Sequence, residues 1–189
     1  MREFHGDIQE YFELERETIG RLDVDAINRA MNAIADARDR GSTIWTMGNG
    51  GSSATASHFV CDFSKGASER LGGKKFDLRC LCDNTPIMMA IANDIGYDDV
   101  FLFQLKGLLK PDDLVIAISG SGNSKNVLKA VEYAKEIGTP VIGITGYSGG
   151  ALREMADYSM HVPMDDMQIT EDIHMMFDHM MLRVLGDNM

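Results

Sequence analysis

Residues 112–138 read DDLVIAISGSGNSKNVLKAVEYAKEIG, and this stretch decides the fold. The apolar run within 112–119 is continuous, as in a strand covered on both faces. Ser119-Gly120-Ser121-Gly122-Asn123-Ser124 is a run of turn formers. Residues 124–138 then alternate apolar and charged positions at helical period until Gly138 stops them. A similar junction precedes it: TIWTMG (43–48) is a short β-rich run ending in glycine, Asn49-Gly50-Gly51-Ser52-Ser53 follows, and SSATASHFVCDF (52–63) reads as a helix. Further out, DLRCLC (77–82), PVIGITG (140–146) and DYSMHVP (157–163) read as strands, with helices near 86–93 and over ALREMA (151–156). Alternating strands and helices with short connections predict an α/β fold, a doubly wound parallel sheet with helices on both faces, over residues 42–163.

The flanks are helical. Ile8, Phe12, Leu14, Ile19 and Leu22 lie among acids, and Ile27, Met31, Ile34 and Ala35 repeat on one face before Gly41, which predicts helices over about 4–20 and 25–39. A last helix is expected over 167–185, so the 189 residues are read as one domain, 1–189, with an N-terminal helical pair (1–40) and a C-terminal helix. Hydrophobic residues make up 44%, enough for a real core. No run approaches the roughly 18 apolar residues of a membrane span, and the acidic start MREFHGDIQEYFELERE has no signal-peptide core. With 18 Lys and Arg against 29 Asp and Glu, the formal charge is −11, and a pI near 4.8 argues against nucleic acid as a partner. Cys61, Cys80 and Cys82 are odd in number and form no C-x-x-C, so reduced, packing thiols of a cytoplasmic protein are expected.

Both glycine-serine loops sit at strand-to-helix junctions, where open α/β sheets bind ligands. Glycines let the backbone approach an oxyanion, the first N–H groups of a helix have no internal partner, and the dipole favours negative charge there. Ser119, Ser121 and Ser124 add hydroxyl donors, so a phosphate monoester could be held without Lys or Arg. The plain alternative is two tight turns with serine N-caps. Neither loop fits a dinucleotide fingerprint, because Ser53 and Lys125 stand at the third glycine position, and neither fits a P-loop.

His58 and Asp62 are four apart and share a helix face, a spacing that can hold a metal. The tail helix carries Glu171, Asp172, His174, Asp178 and His179 among core-spaced Ile173, Met176, Phe177 and Met180; a solvated polar face is the alternative there.

GNGGS (48–52) followed by His58, ISGSGNS (118–124) and ITG (144–146) resemble the SIS (sugar isomerase) family of phosphosugar-binding domains. With the closing His-rich helix, the chain is similar over nearly its whole length to the phosphoheptose isomerase branch. That resemblance implies a flavodoxin-like SIS domain, a homotetramer with active sites between subunits, and aldose–ketose isomerisation of sedoheptulose 7-phosphate through an enediolate. It implies one zinc per subunit on His58, Asp62, Glu171 and His179, with Asp62 in place of the family's Glu and Glu171 in place of its Gln. Asp62 and His179 stand where the acid/base pair does; Asn49, Gly50, Ser52, Asp94 and Glu171 fall at the sugar, and Ser119, Gly120, Ser121 and Ser124 at the phosphate. Asp94 rests on NDIGYDDVF (93–101) resembling a family segment, with a solvated turn as the alternative. The two altered carboxylates also suit a non-catalytic SIS protein, a phosphosugar sensor or an adaptor for a replication initiator, or an isomerase of another ketose phosphate. Glu171 and His179 are about 12 Å apart along one straight helix. Either different subunits supply them, the helix is irregular near 171, or one is not a ligand.

Overall fold

The computed structural model describes residues 2–67, 69 and 74–188; Met1 and Met189, the ends of the expected domain, lie outside the described residues. In chain order the elements are α1 (His5–Ile19), α2 (Val24–Arg40), β1 (Thr43–Met47), α3 (Gly51–Cys61), a π-helical segment (Asp62–Ala67), β2 (Asp77–Cys80), α4 (Thr85–Asp94), a 3-10 turn (Tyr97–Asp99), α5 (Leu102–Leu105), β3 (Leu114–Ser119), α6 (Lys125–Ile137), β4 (Val141–Thr145), α7 (Gly150–Met155), β5 (Tyr158–His161) and α8 (Met167–Asn188). Every expected strand and helix is present. The five strands are all parallel, in the order β2-β1-β3-β4-β5.

Alternation along the strands feeds two cores. Leu114, Ile116 and Ile118 of β3 join Ile44, Ile142, Ile144 and Met160 on one face, covered by α2, α3 and α8 through Ile34, Phe59, Ile173 and Phe177. Val115 and Ala117 join Trp45, Met47 and Val141 on the other, covered by α4 to α7 through Ile91, Leu105, Val131 and Leu152. The strand order turns back between β1 and β3, so these neighbours send their following helices to opposite faces. That leaves a crevice at their carboxyl ends.

Local chemistry sets the element ends. The Asp23 carboxylate accepts from the Ala26 N–H at 2.9 Å and starts α2, and Gly41 ends it at φ 77°. The segment after α4, including the end of NDIGYDDVF, folds as the 3-10 turn and α5 with Val100, Phe101 and Leu105 fully buried, while Asp94 itself is exposed at the end of α4. The helix expected over 52–63 passes into π geometry at Asp62, with Phe59 and Phe63 stacked at 5.8 Å. Asp113, 4% exposed, precedes β3 and accepts from the Thr43 and Lys110 N–H groups and the Trp45 indole, each at 3.1 Å, tying β1 to β3.

His174 of α8 is 1% exposed, and its ring nitrogens have no hydrogen-bond partner in good geometry. Burial pushes its pKa down to about 4; the Thr145 backbone opposes the fall and His161 adds to it. The unfolded ring titrates near 6.5. Between those values the unfolded chain binds a proton that the folded one does not, so this stability is full above pH 6.5 and is lost as pH falls to 4. Comparing urea melts of the wild type and His174→Leu at pH 7 and pH 4.5, the wild type loses about 2–3 kcal/mol more.

Candidate active site

The loops leaving β1 and β3 face one another across the crevice and line a cavity of about 180 Å³ with Asn49, Ser52, Ser119, Gly120, Ser121 and Ser124; Met167 and Glu171 of α8 close it. No side chain caps either following helix. Ser124, the residue before α6, turns its hydroxyl to Ser119 Oγ at 3.0 Å instead of to its own helix. The serine-cap alternative therefore does not describe these loops. Both helix N-termini stay available to an anion, and the lining residues include no Lys or Arg.

Two contacts fix the serine loop. Gly120 O accepts from the Gly146 N–H at 2.8 Å, and Gly122 O accepts from Leu152 N–H at 3.0 Å. Gly122 has φ 68°, and a β-carbon there would collide with the Gly149 carbonyl. The first loop is fixed across the crevice. Asn49 Nδ2 donates to Asn126 Oδ1 and Asn126 Nδ2 donates to Asn49 Oδ1, both at 2.9 Å. Asn126 is 2% exposed and also accepts from the Val127 N–H at 2.9 Å. Tyr97 donates to Asn49 Oδ1 at 2.7 Å. Both lone pairs of Asn49 Oδ1 are thus used, which leaves its amide one N–H for a ligand.

Asn126 and Tyr97 carry no sequence signal of this role. Asp94 does not reach the cavity: it is exposed at the end of α4 and accepts from Asn93 Nδ2 at 2.7 Å. It is Tyr97 of the same segment that comes to the loop. Cys82 does more than pack, since its thiol donates to the Gly48 carbonyl at 3.3 Å and holds the start of the first loop.

A second cluster lies further along the same helices. His58 of α3, Asp62 at the head of the π segment, and Asp178 and His179 of α8 place four donor atoms within 4.8 Å of one another. His58 Nε2 is 3.2 Å from His179 Nε2 and 3.7 Å from both Asp62 Oδ1 and Asp178 Oδ2. The Asp178 side chain is fully buried, and neither oxygen has a hydrogen-bond partner. Burial pushes its pKa up to about 7, and the neighbouring Asp62 charge adds to the rise. Tetrahedral donors bound at about 2.0–2.2 Å sit about 3.3–3.6 Å apart, so two imidazoles and two carboxylates at these spacings fit a divalent ion.

Glu171 belongs to the ligand set that the resemblance implies, from the same chain or from another subunit. Within one chain it does not join the His cluster. Its carboxylate lies against Gly51 at the start of α3, where any β-carbon would collide with it, and it faces the serine-lined cavity. The physical reason is helix rise: α8 is regular from Met167 onward, so eight residues separate 171 from 179 by about 12 Å. Asp178, one residue from His179, stands in the cluster instead. Its sequence signal was weak, because a carboxylate beside a histidine on a mixed helix also reads as a solvated face.

A family model described as SIS domain matches residues 10–146. The chain is 36% identical over 181 residues to a probable phosphoheptose isomerase of Thermoplasma acidophilum, covering 96% of this chain and 98% of that one. The structure of phosphoheptose isomerase GmhA from Neisseria gonorrhoeae superposes with a TM-score of 0.88 at 28% identity, over 98% of this chain and 100% of that one. A phosphoheptose isomerase from Francisella tularensis gives 0.89 at 28% identity, over 99% and 100%.

The amide pair across the crevice generates a prediction. Asn126→Ala removes the partner of both Asn49 groups and costs about 1–3 kcal/mol in a denaturant melt. Calorimetric titration with inorganic phosphate gives roughly tenfold weaker binding, a 1.4 kcal/mol effect, because the two loops lose their fixed spacing.

Proposed function

The chain belongs to the SIS domain family, and we propose that within it the protein is an aldose–ketose isomerase converting sedoheptulose 7-phosphate to D-glycero-D-manno-heptose 7-phosphate. One observation carries the reading: a cation-free, serine-lined cavity between two uncapped helix N-termini, with a His/carboxylate cluster further along the same helices. Along α3 the axial step from Ser52 to His58 is about 9 Å, and along α8 from Glu171 to His179 about 12 Å. An extended seven-carbon phosphate chain, eight bonds from phosphorus to C1, reaches about 10 Å.

The phosphate is held by the hydroxyls and amides of Ser119, Gly120, Ser121 and Ser124. Asn49, Gly50, Ser52 and Glu171 meet the sugar hydroxyls, Asn49 as a donor only. In the ketose-to-aldose direction a proton leaves C1 and returns at C2, while a hydroxyl proton passes from O1 to O2. Asp62 carries the carbon-bound proton, and the exposed His179 ring moves the hydroxyl proton. His58, Asp62 and His179 belong to the set that would hold a divalent ion, zinc by the family resemblance. When bound, that ion supplies a Lewis acid that polarises the sugar carbonyl. An imidazole nitrogen bound to metal has no proton to move, so His179 Nε2 serves as ligand or as shuttle; Asp62 keeps a second oxygen free in either case.

A homotetramer with shared sites in the cytoplasm is part of the same reading. A cavity of about 180 Å³ is smaller than the roughly 300 Å³ at which enclosed ligand sites begin, so one chain does not enclose the whole sugar. Phe4, Ile8 and Phe12 on α1 are exposed, and an apolar groove of about 380 Å³ runs between α2 and α8 past Val24, Met31 and Met180. Both are surfaces that a second subunit would cover. No helix among the described residues is long and apolar enough to cross a membrane. One sheet with a core on each face supports reading 1–189 as one domain.

Incubated with sedoheptulose 7-phosphate and Zn²⁺, the purified protein gives the aldose product, read by carbon-13 NMR. Asp62→Asn lowers kcat by about 10²–10⁴ with little change in KM. The pair Ser121→Ala and Ser124→Ala raises KM instead. Phosphosugar binding without turnover on any ketose phosphate would replace this reading by that of a sensor or adaptor.

A further inference from the structure

The geometry points to Asp178 as the fourth ligand of a metal centre complete within one chain, formed by His58, Asp62, Asp178 and His179, with Glu171 outside it. This rests on the metal-centre part of the reading above and not on the identity of the sugar.

A carboxylate removed from water with both oxygens unpartnered is costly, and a fold keeps such a group where something uses it. Asp178 is in that state, fully buried on the side of α8 that faces α3. Its Oδ2 is aimed into the cluster, 3.7 Å from His58 Nε2. That distance is too long for a hydrogen bond and close to the edge of a tetrahedron whose centre holds an ion. The edge to Asp62, 3.7 Å, has the same character, and the 3.2 Å edge to His179, which two neutral rings can also bridge by a hydrogen bond, is close to a tetrahedral edge as well. Four donors arranged to share one ion account for these spacings together; a simple ion pair between Asp178 and His58 would close to hydrogen-bond distance.

Charge points the same way. With both imidazoles unprotonated as ligands, two carboxylates sum to −2, so a divalent cation makes the centre neutral. The mixed nitrogen and oxygen set suits zinc, and also iron or manganese. Asp62 alone reaches less far than a glutamate would; Asp178 brings a second carboxylate from the opposite helix. Glu171, against Gly51, is left free to face the sugar.

The test is metal binding, read without turnover. In chelator competition, Asp178→Asn weakens Zn²⁺ binding by at least about tenfold. In the Co²⁺-loaded protein it also changes the visible d–d absorption, while Glu171→Gln leaves affinity and spectrum unchanged. Melting in EDTA separates this from misfolding: the Asp178→Asn apoprotein is at least as stable as the wild-type apoprotein, because a buried unpaired charge is gone, and gains less on adding Zn²⁺. Three results each overturn the inference: no stoichiometric metal on the wild type, Asp178→Asn with unchanged affinity and spectrum, or the loss falling on Glu171→Gln. Wild type that binds metal through Asp178 yet leaves sedoheptulose 7-phosphate unconverted would sustain the inference and remove the substrate assignment.

Discussion

The reciprocal amide pair between Asn49 and Asn126 joins two loops that the fold would otherwise send apart. Strands β1 and β3 are neighbours in the sheet, yet α3 and α6 lie on opposite faces. Their entry loops therefore diverge from a shared edge. Two hydrogen bonds across that edge, backed by Tyr97 on one side and the Val127 N–H on the other, hold the loops at a fixed separation. A cavity that binds an anion by neutral donors depends on such fixing. Dipoles act only at short range and in the right direction, whereas a lysine could follow a displaced phosphate.

The two polar centres share their supports. Helix α3 begins at the anion cavity and ends at Asp62, and α8 passes Glu171 first and Asp178 and His179 later. In the proposed reading each helix is a ruler between the phosphate end and the reacting end of an extended sugar. The π turn that opens at Asp62 belongs to this arrangement. A wider turn re-aims the side chains at its start, and such turns recur at functional sites. Phe63 stays in the core beside Phe59, so the change of pitch does not disturb the packing below.

The sheet and its order of elements were legible because β3 is apolar throughout and both loops are rich in glycine and serine. The serines at 119, 121 and 124 were legible for the same reason. Asn126 was not, because an asparagine inside an amphipathic helix looks like any other polar position until the opposite loop is in place. In the segment around Tyr97 the polar residues stood out, while the aromatic that reaches Asn49 and the buried Val100 and Phe101 drew no notice. Within one chain Asp178, and not Glu171, stands beside the two histidines, for a geometric reason. Helix rise forbids a cluster spanning 171 to 179 within one chain, but spacing alone does not say which acid stays. Burial does, and burial is a property of the packed molecule.

In the proposed reading, a protein of formal charge −11 receives a dianion on amides and hydroxyls, which is an unusual approach problem. The far field repels the incoming molecule, and only the last few ångströms attract it. Dissolved electrolyte screens the long-range part over about 10 Å at 0.1 M and leaves the contact donors almost untouched. Capture should therefore quicken as ionic strength rises, the reverse of what a lysine-lined pocket shows.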